Sequence, residues 1–150
     1  MPLLLLSCSL LFIPPLNTSA LLWLLSASPV SAVSDFSSVF RSKATFNEIL
    51  NGWNVSAATK MASMFYGATS FNGDVTSWDV SKVTEMLGMF TDATSFNQNL
   101  KSWDVSKVTR IDYVFNGATS FNQNLNSWNV VLVCTMQSMF EGATSFNSNL

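Results

Sequence analysis

Asp79 and Asp104 are the residues of this 150-residue chain whose type and spacing come nearest to chemistry. Each stands in a Trp-Asp-Val-Ser-Lys run, and the two runs are 25 residues apart. Two carboxylates at that interval meet only if the chain coils back on itself. Stacked side by side they repel, and a bound Ca²⁺ would relieve the repulsion, since carboxylates and Asn carbonyls are its ligands. Lys82 and Lys107 follow closely and can balance the same charge without a metal. Asp79 and Asp104 are therefore kept only as a calcium candidate, and no cofactor is expected. Asn54-Val55-Ser56 is an acceptor sequence for N-glycosylation, and Asn17-Thr18-Ser19 has the same pattern. Cys8 and Cys134 are too few for a disulfide framework. Cys134 takes the place that Thr59, Thr84 and Thr109 hold in other copies of a repeat, so a small inert side chain is expected there.

Composition narrows the function classes. There is no His, which removes the commonest general base and zinc ligand. No activated-nucleophile pair or Gly-rich phosphate loop stands in its place, so the chain is not expected to be an enzyme. Charged residues make up 11%, against about 25% in ordinary soluble domains. Seven Lys and Arg stand against nine Asp and Glu, for a net charge of -2. Nucleic-acid binding, which needs a clustered basic face, is not expected.

The elements that position these residues follow from a repeat. Trp53, Trp78, Trp103 and Trp128 are each 25 residues apart, and Phe46, Phe71, Phe96, Phe121 and Phe146 keep the same frame. A fixed period of this length predicts stacked units that bury their apolar faces only against their neighbours. Within the third copy, Leu100, Trp103, Val105 and Val108 follow leucine-rich-repeat spacing, which predicts a short strand over 102–105. Val108, Ile111, Val114 and Phe115 lie at i, i+3, i+6 and i+7, one stripe of a helix. Ser106 stands at its N-cap and Gly117 at its C-cap, able to take φ > 0. Gly67, Gly142 and Asp92 are the equivalents of Gly117. The predicted fold is thus α/β: a leucine-rich-repeat-like right-handed solenoid with one short parallel strand and one short helix per 25-residue repeat. The Phe, Trp and Met columns are read as core. Asn72, Asn97, Asn122 and Asn147, with Asn99, Asn124 and Asn149, are read as a ladder pairing loop backbone.

Ala93-Thr94-Ser95-Phe96-Asn97-Gln98-Asn99-Leu100-Lys101-Ser102-Trp103-Asp104-Val105-Ser106-Lys107-Val108-Thr109 resembles the repeat of BspA-type leucine-rich repeat surface proteins, also described as a mycoplasma-lipoprotein-type repeat region of unknown function. The likeness covers roughly residues 33–150 and is closest in the second and third copies. Ala57-Ala58 and Val131-Leu132-Val133-Cys134 depart from the pattern. The resemblance implies a secreted or cell-surface protein engaged in adhesion or recognition, and it carries no catalytic residues.

The ends are different material. No charged side chain precedes Asp35, and apolar runs around Pro14-Pro15 lead to Val30-Ser31-Ala32. Residues 1–32 read as a secretory signal cleaved after Ala32, although its first residues lack Lys and Arg. Residues 33–45 are then a degenerate N-terminal cap repeat, and 46–150 hold four full repeats and the start of a fifth. Membrane contact is expected only through an uncleaved signal. The uncapped end at Leu150 predicts self-association or a longer array. In the leucine-rich-repeat reading, Gly52, Asn54, Ser56, Ser77, Asp79, Ser81, Ser102, Asp104, Ser106, Ser127, Asn129 and Val131 face the concave side. The polar members are the candidate binding face for a protein or glycan. The competing expectation is a structural spacer or wall component, because this face lacks the Tyr, Trp and Arg anchors usual at interfaces.

Overall fold

The computed structural model describes residues 32–148. The signal peptide expected over 1–32 and the end at Leu150 lie outside this range, apart from Ala32. The chain forms a stack of 25-residue coils, which we number from the residue that opens each: 35–59, 60–84, 85–109, 110–134, and the described part of a fifth, 135–148. Asp35, Lys60, Glu85, Arg110 and Thr135 pair in register as isolated parallel bridges. In four of the five, acid and base alternate, and opposite charges side by side favour this register over its neighbours.

Neither the predicted strand nor the predicted helix forms. Among the described residues there is no α-helix, and pairing never extends beyond isolated bridges. The α/β leucine-rich-repeat reading is corrected accordingly: each coil is a succession of tight turns. In the second and third coils Met61 and Met64, Phe65 and Ala68, Ala68 and Phe71, Val75 and Trp78, Val80 and Val83, and Met86 and Met89 close i to i+3 backbone bonds of 2.9–3.3 Å. Each such turn begins and ends on a buried side chain, and all but the Met86–Met89 turn, whose corner residue Gly88 is buried, show their corners at least partly to solvent. A chain of such turns places apolar residues three apart, the spacing that a helical stripe also produces. Ser106 caps no helix: it is a corner of the Val105–Val108 turn, whose Val108 N–H bonds Val105 O at 2.9 Å. The strand expected over 102–105 is interrupted likewise, since the Trp103 N–H turns back to Leu100 O at 3.1 Å.

Left-handed residues make the succession of turns close. Gly67, Asp92, Gly117 and Gly142 have φ of 69, 56, 68 and 74°, so the positive φ expected at these positions is present although no helix precedes it. A second column, four residues earlier, is also left-handed: Ser38, Ser63, Gly88, Tyr113 and Ser138. No helix accommodates that alternation. It turns every second N–H toward the next coil. Met61, Ser63, Phe65 and Gly67 donate to Glu85, Leu87, Met89 and Thr91 carbonyls at 2.8–2.9 Å, and the pattern recurs one coil earlier and one coil later.

The core is made of columns. Phe40–Phe46, Phe65–Phe71, Phe90–Phe96 and Phe115–Phe121 stack within coils at 3.8–4.0 Å between centroids. Phe65, Phe90 and Phe115 stack from coil to coil at 5.5 and 5.9 Å. Trp78, Trp103 and Trp128 bury their rings and donate their indole N–H to the Leu50, Val75 and Leu100 carbonyls at 3.1–3.2 Å. Polar ladders run outside the core. Thr84 and Thr109 hydroxyls bond the Thr59 and Thr84 carbonyls at 3.2 and 3.1 Å. The Asn72, Asn97 and Asn122 side chains accept the backbone N–H of the Asn 25 residues later at 2.9 Å, as the scaffold reading expects. No helix of the described residues is long and apolar enough to cross a membrane.

Candidate functional site

The expected binding face is exposed, but its polar groups also hold the turns. Asn54, Asp79, Asp104 and Asn129 form one column, and their side-chain oxygens accept the N–H of Ser56, Ser81, Ser106 and Val131 at 3.0–3.2 Å. Such Asx turns are what Asn and Asp favour locally. The Ser77, Ser102 and Ser127 hydroxyls donate to Asn51, Thr76 and Lys101 carbonyls of the preceding coil. Ser56, Ser81 and Ser106 are half-buried. Asp79 and Asp104 are neighbours in the column. Both carboxyls lie below the ordinary range, chiefly through the Ser81 and Ser106 groups beside them, with Lys82 and Lys107 adding attraction. Among the described residues no three His, Cys, Asp or Glu side chains gather as a metal site would require. Cys134 is an exposed free thiol.

A different constellation forms where the copies stop resembling one another. Thr109, at the end of the third coil, with Arg110, Asp112, Tyr113 and Cys134 of the fourth and Thr135 and Gln137 of the fifth, lines an open groove of about 480 Å³. Asp112 is its fixed point, with a side chain only 6% exposed. Earlier coils carry Ser37, Ala62 and Leu87 there. The Asp112 carboxylate accepts the Thr135 hydroxyl at 2.7 Å and the Gln137 N–H at 3.0 Å, and Arg110 Nε lies 3.5 Å away. Burial pushes this carboxyl up, but Thr135, Gln137 and Arg110 outweigh it and hold it below the usual carboxylate range. It is therefore ionised at neutral pH and pairs with the half-exposed guanidinium.

Tyr113 is the other departure. It adopts φ of 59° where the second-coil equivalent is Ser63 and the third-coil equivalent Gly88. A bulky residue in that conformation carries strain of about 1–2 kcal/mol. Sequence reasoning passed over Arg110, Asp112, Tyr113, Thr135 and Gln137. The available signal was partial: Tyr113 stands in a column of small residues and Thr135 ends the charge alternation that Arg110 continues, whereas Asp112 and Gln137 share a column with Ser37, Ala62 and Leu87 that keeps no residue type. The copy-four departure at Val131-Leu132-Val133-Cys134 was noticed, and Val131 and Leu132 are exposed, as are Ile49 and Met136.

Comparison with known proteins adds one finding. A family profile described as "Mycoplasma protein of unknown function, DUF285" matches residues 18–111 and again 74–150. The two matches overlap, as expected where one unit recurs in frame. The first begins inside the stretch read as a signal. No curated protein and no solved structure matches the chain.

Proposed function

The chain belongs to the DUF285 family of mycoplasma-type repeat proteins of unknown function, and we propose that it is a non-catalytic recognition or adhesion module of a secreted or cell-surface protein. One observation carries this reading. Asp112 and Tyr113, which replace smaller or apolar residues of the earlier coils, line a solvent-facing groove together with Arg110, Thr135 and Gln137. A groove held on a regular array suits binding, since the scaffold holds it with little ordering cost. The finer likeness to BspA-type surface proteins supports a surface location, as does the leader-like composition of residues 1–32. A protein or glycan is the expected partner class.

The spacer reading keeps an observation of its own: Asn54, Asp79, Asp104 and Asn129 already use their side-chain oxygens on their own turns. The two readings separate in a binding assay. The immobilised chain is presented with a glycan array and a panel of extracellular-matrix proteins. Saturable binding to any member supports recognition, and none across both panels leaves the spacer. Asp79→Asn with Asp104→Asn then locates the contact. Asn already occupies this column at 54 and 129, so the turns survive while both charges go. Loss of binding assigns the Asx column, and retained binding points away from it.

A further inference from the structure

We propose that the Arg110–Asp112–Tyr113–Gln137 groove binds a neutral saccharide; this deepens the recognition reading and rests on it. The groove offers what a sugar ring needs. Hydroxyls of a sugar both donate and accept, so they pair best with donors and acceptors held side by side. Arg110, fixed by its 3.5 Å ion pair to the buried Asp112, supplies donors, and the exposed Gln137 amide beside it supplies both a donor and an acceptor. Arg110 faces Asp112 through Nε, which leaves the Nη groups on its half-exposed side chain for a ligand. The Gln137 side-chain amide and the Tyr113 hydroxyl make no hydrogen bond to protein among the described residues. Tyr113 adds a flat ring, the one aromatic surface in the lining, against which the C–H face of a sugar can lie.

The alternatives fit less well. An anion is poorly served, because the Arg110 charge is already answered by Asp112 and the chain carries net charge -2. An apolar peptide anchor has no pocket here, since Ile49, Val131, Leu132 and Met136 are exposed and none of them lines the groove. The strain at Tyr113 points the same way. An aromatic residue in left-handed backbone, where Gly88 and Ser63 are the earlier solutions, costs stability that a ligand contact would justify.

The test is a ¹⁵N-NMR titration of the full chain with glucose, galactose, mannose and N-acetylglucosamine at millimolar concentration, with acetate as the anionic control. At least one sugar is expected to give saturable shifts at Tyr113, Gln137 and the Arg110 Nε–H. Tyr113→Gly, which places at this position the residue of the equivalent Gly88, is expected to melt no lower than the parent and to bind about tenfold more weakly, the effect of about 1.4 kcal/mol. Gln137→Ala is the second variant and should weaken binding without lowering the melting temperature. Absence of shifts with all four sugars overturns the inference, as do shifts confined to other coils, undiminished binding by Tyr113→Gly, or acetate binding at the same residues. If the chain binds array glycans or matrix proteins and Tyr113→Gly binds them equally well, the groove assignment fails and the recognition reading stands. If nothing binds in either experiment, both fall.

Discussion

At the scale of single residues, left-handed backbone decides what each position tolerates. Gly117 has φ of 68°, and a Cβ there would run into the Asp92 carboxylate of the coil before. Gly117→Ala is therefore expected to destabilise by about 1–2 kcal/mol, read as a lower midpoint in urea. Asp92→Gly removes both the clashing side chain and the strain at its own φ of 56°. In a double-mutant cycle it should recover part of the Gly117→Ala loss. Strictly additive effects would show that conformation alone, and not the contact with Asp92, sets the penalty. Position 117 was legible from the sequence, because Gly recurs there in three of four copies. The column of Ser38, Ser63, Gly88, Tyr113 and Ser138 was not, since Ser and Tyr do not advertise a left-handed conformation.

At the scale of the coil, the ladders on the outside and the columns inside contribute differently. Asn97 accepts from the Asn122 N–H and from Gln123 Nε2, both at 2.9 Å. Asn97→Ala is expected to cost about 1 kcal/mol, while Asn97→Asp, which keeps the acceptor, should cost less; chemical denaturation of the two variants distinguishes them. Equal losses would remove the hydrogen bond as the cause. Phe90 is fully buried and stacks on Phe96, Phe65 and Phe115. Phe90→Ala is expected to lose about 3–5 kcal/mol and to expose amides of the adjoining coils to hydrogen exchange. The core columns were readable from period alone. The coil geometry was not, because an i, i+3 apolar spacing satisfies a helix and a run of turns equally, and only the sign of φ separates them.

At the scale of the molecule, charge links the stack to pH. The carboxyls of Asp35, Asp74, Asp79, Asp104 and Asp112 all lie below their ordinary range. Folded, each binds fewer protons than unfolded in the window between the two pKa values, so stability rises with pH there. The stabilisation is complete above the ordinary carboxylate range, near pH about 4, and is lost as acid protonates the folded forms. The melting temperature should accordingly fall below about pH 4. Asp112→Asn should flatten that fall, and a melting temperature insensitive to acid would contradict the assignment of these carboxylates to the turns. The alternating bridge residues Asp35, Lys60, Glu85 and Arg110 act at the same scale, as a register mark readable in the sequence once the period is known.

The sequence by itself determined the period, the membership of the core columns, the Asn ladder and the absence of His chemistry. These depend on which residue types recur at 25, and recurrence is visible without coordinates. Only the tertiary structure decided that the coils are runs of turns with alternating left-handed residues. Backbone sign is a property of the closed coil, where each N–H must reach the next carbonyl, and side-chain type constrains it weakly outside Gly. It also decided the groove. Arg110, Asp112 and Tyr113 meet Thr135 and Gln137 only because successive coils lie side by side, which brings residues more than twenty positions apart in the chain within 2.7–3.0 Å of one another.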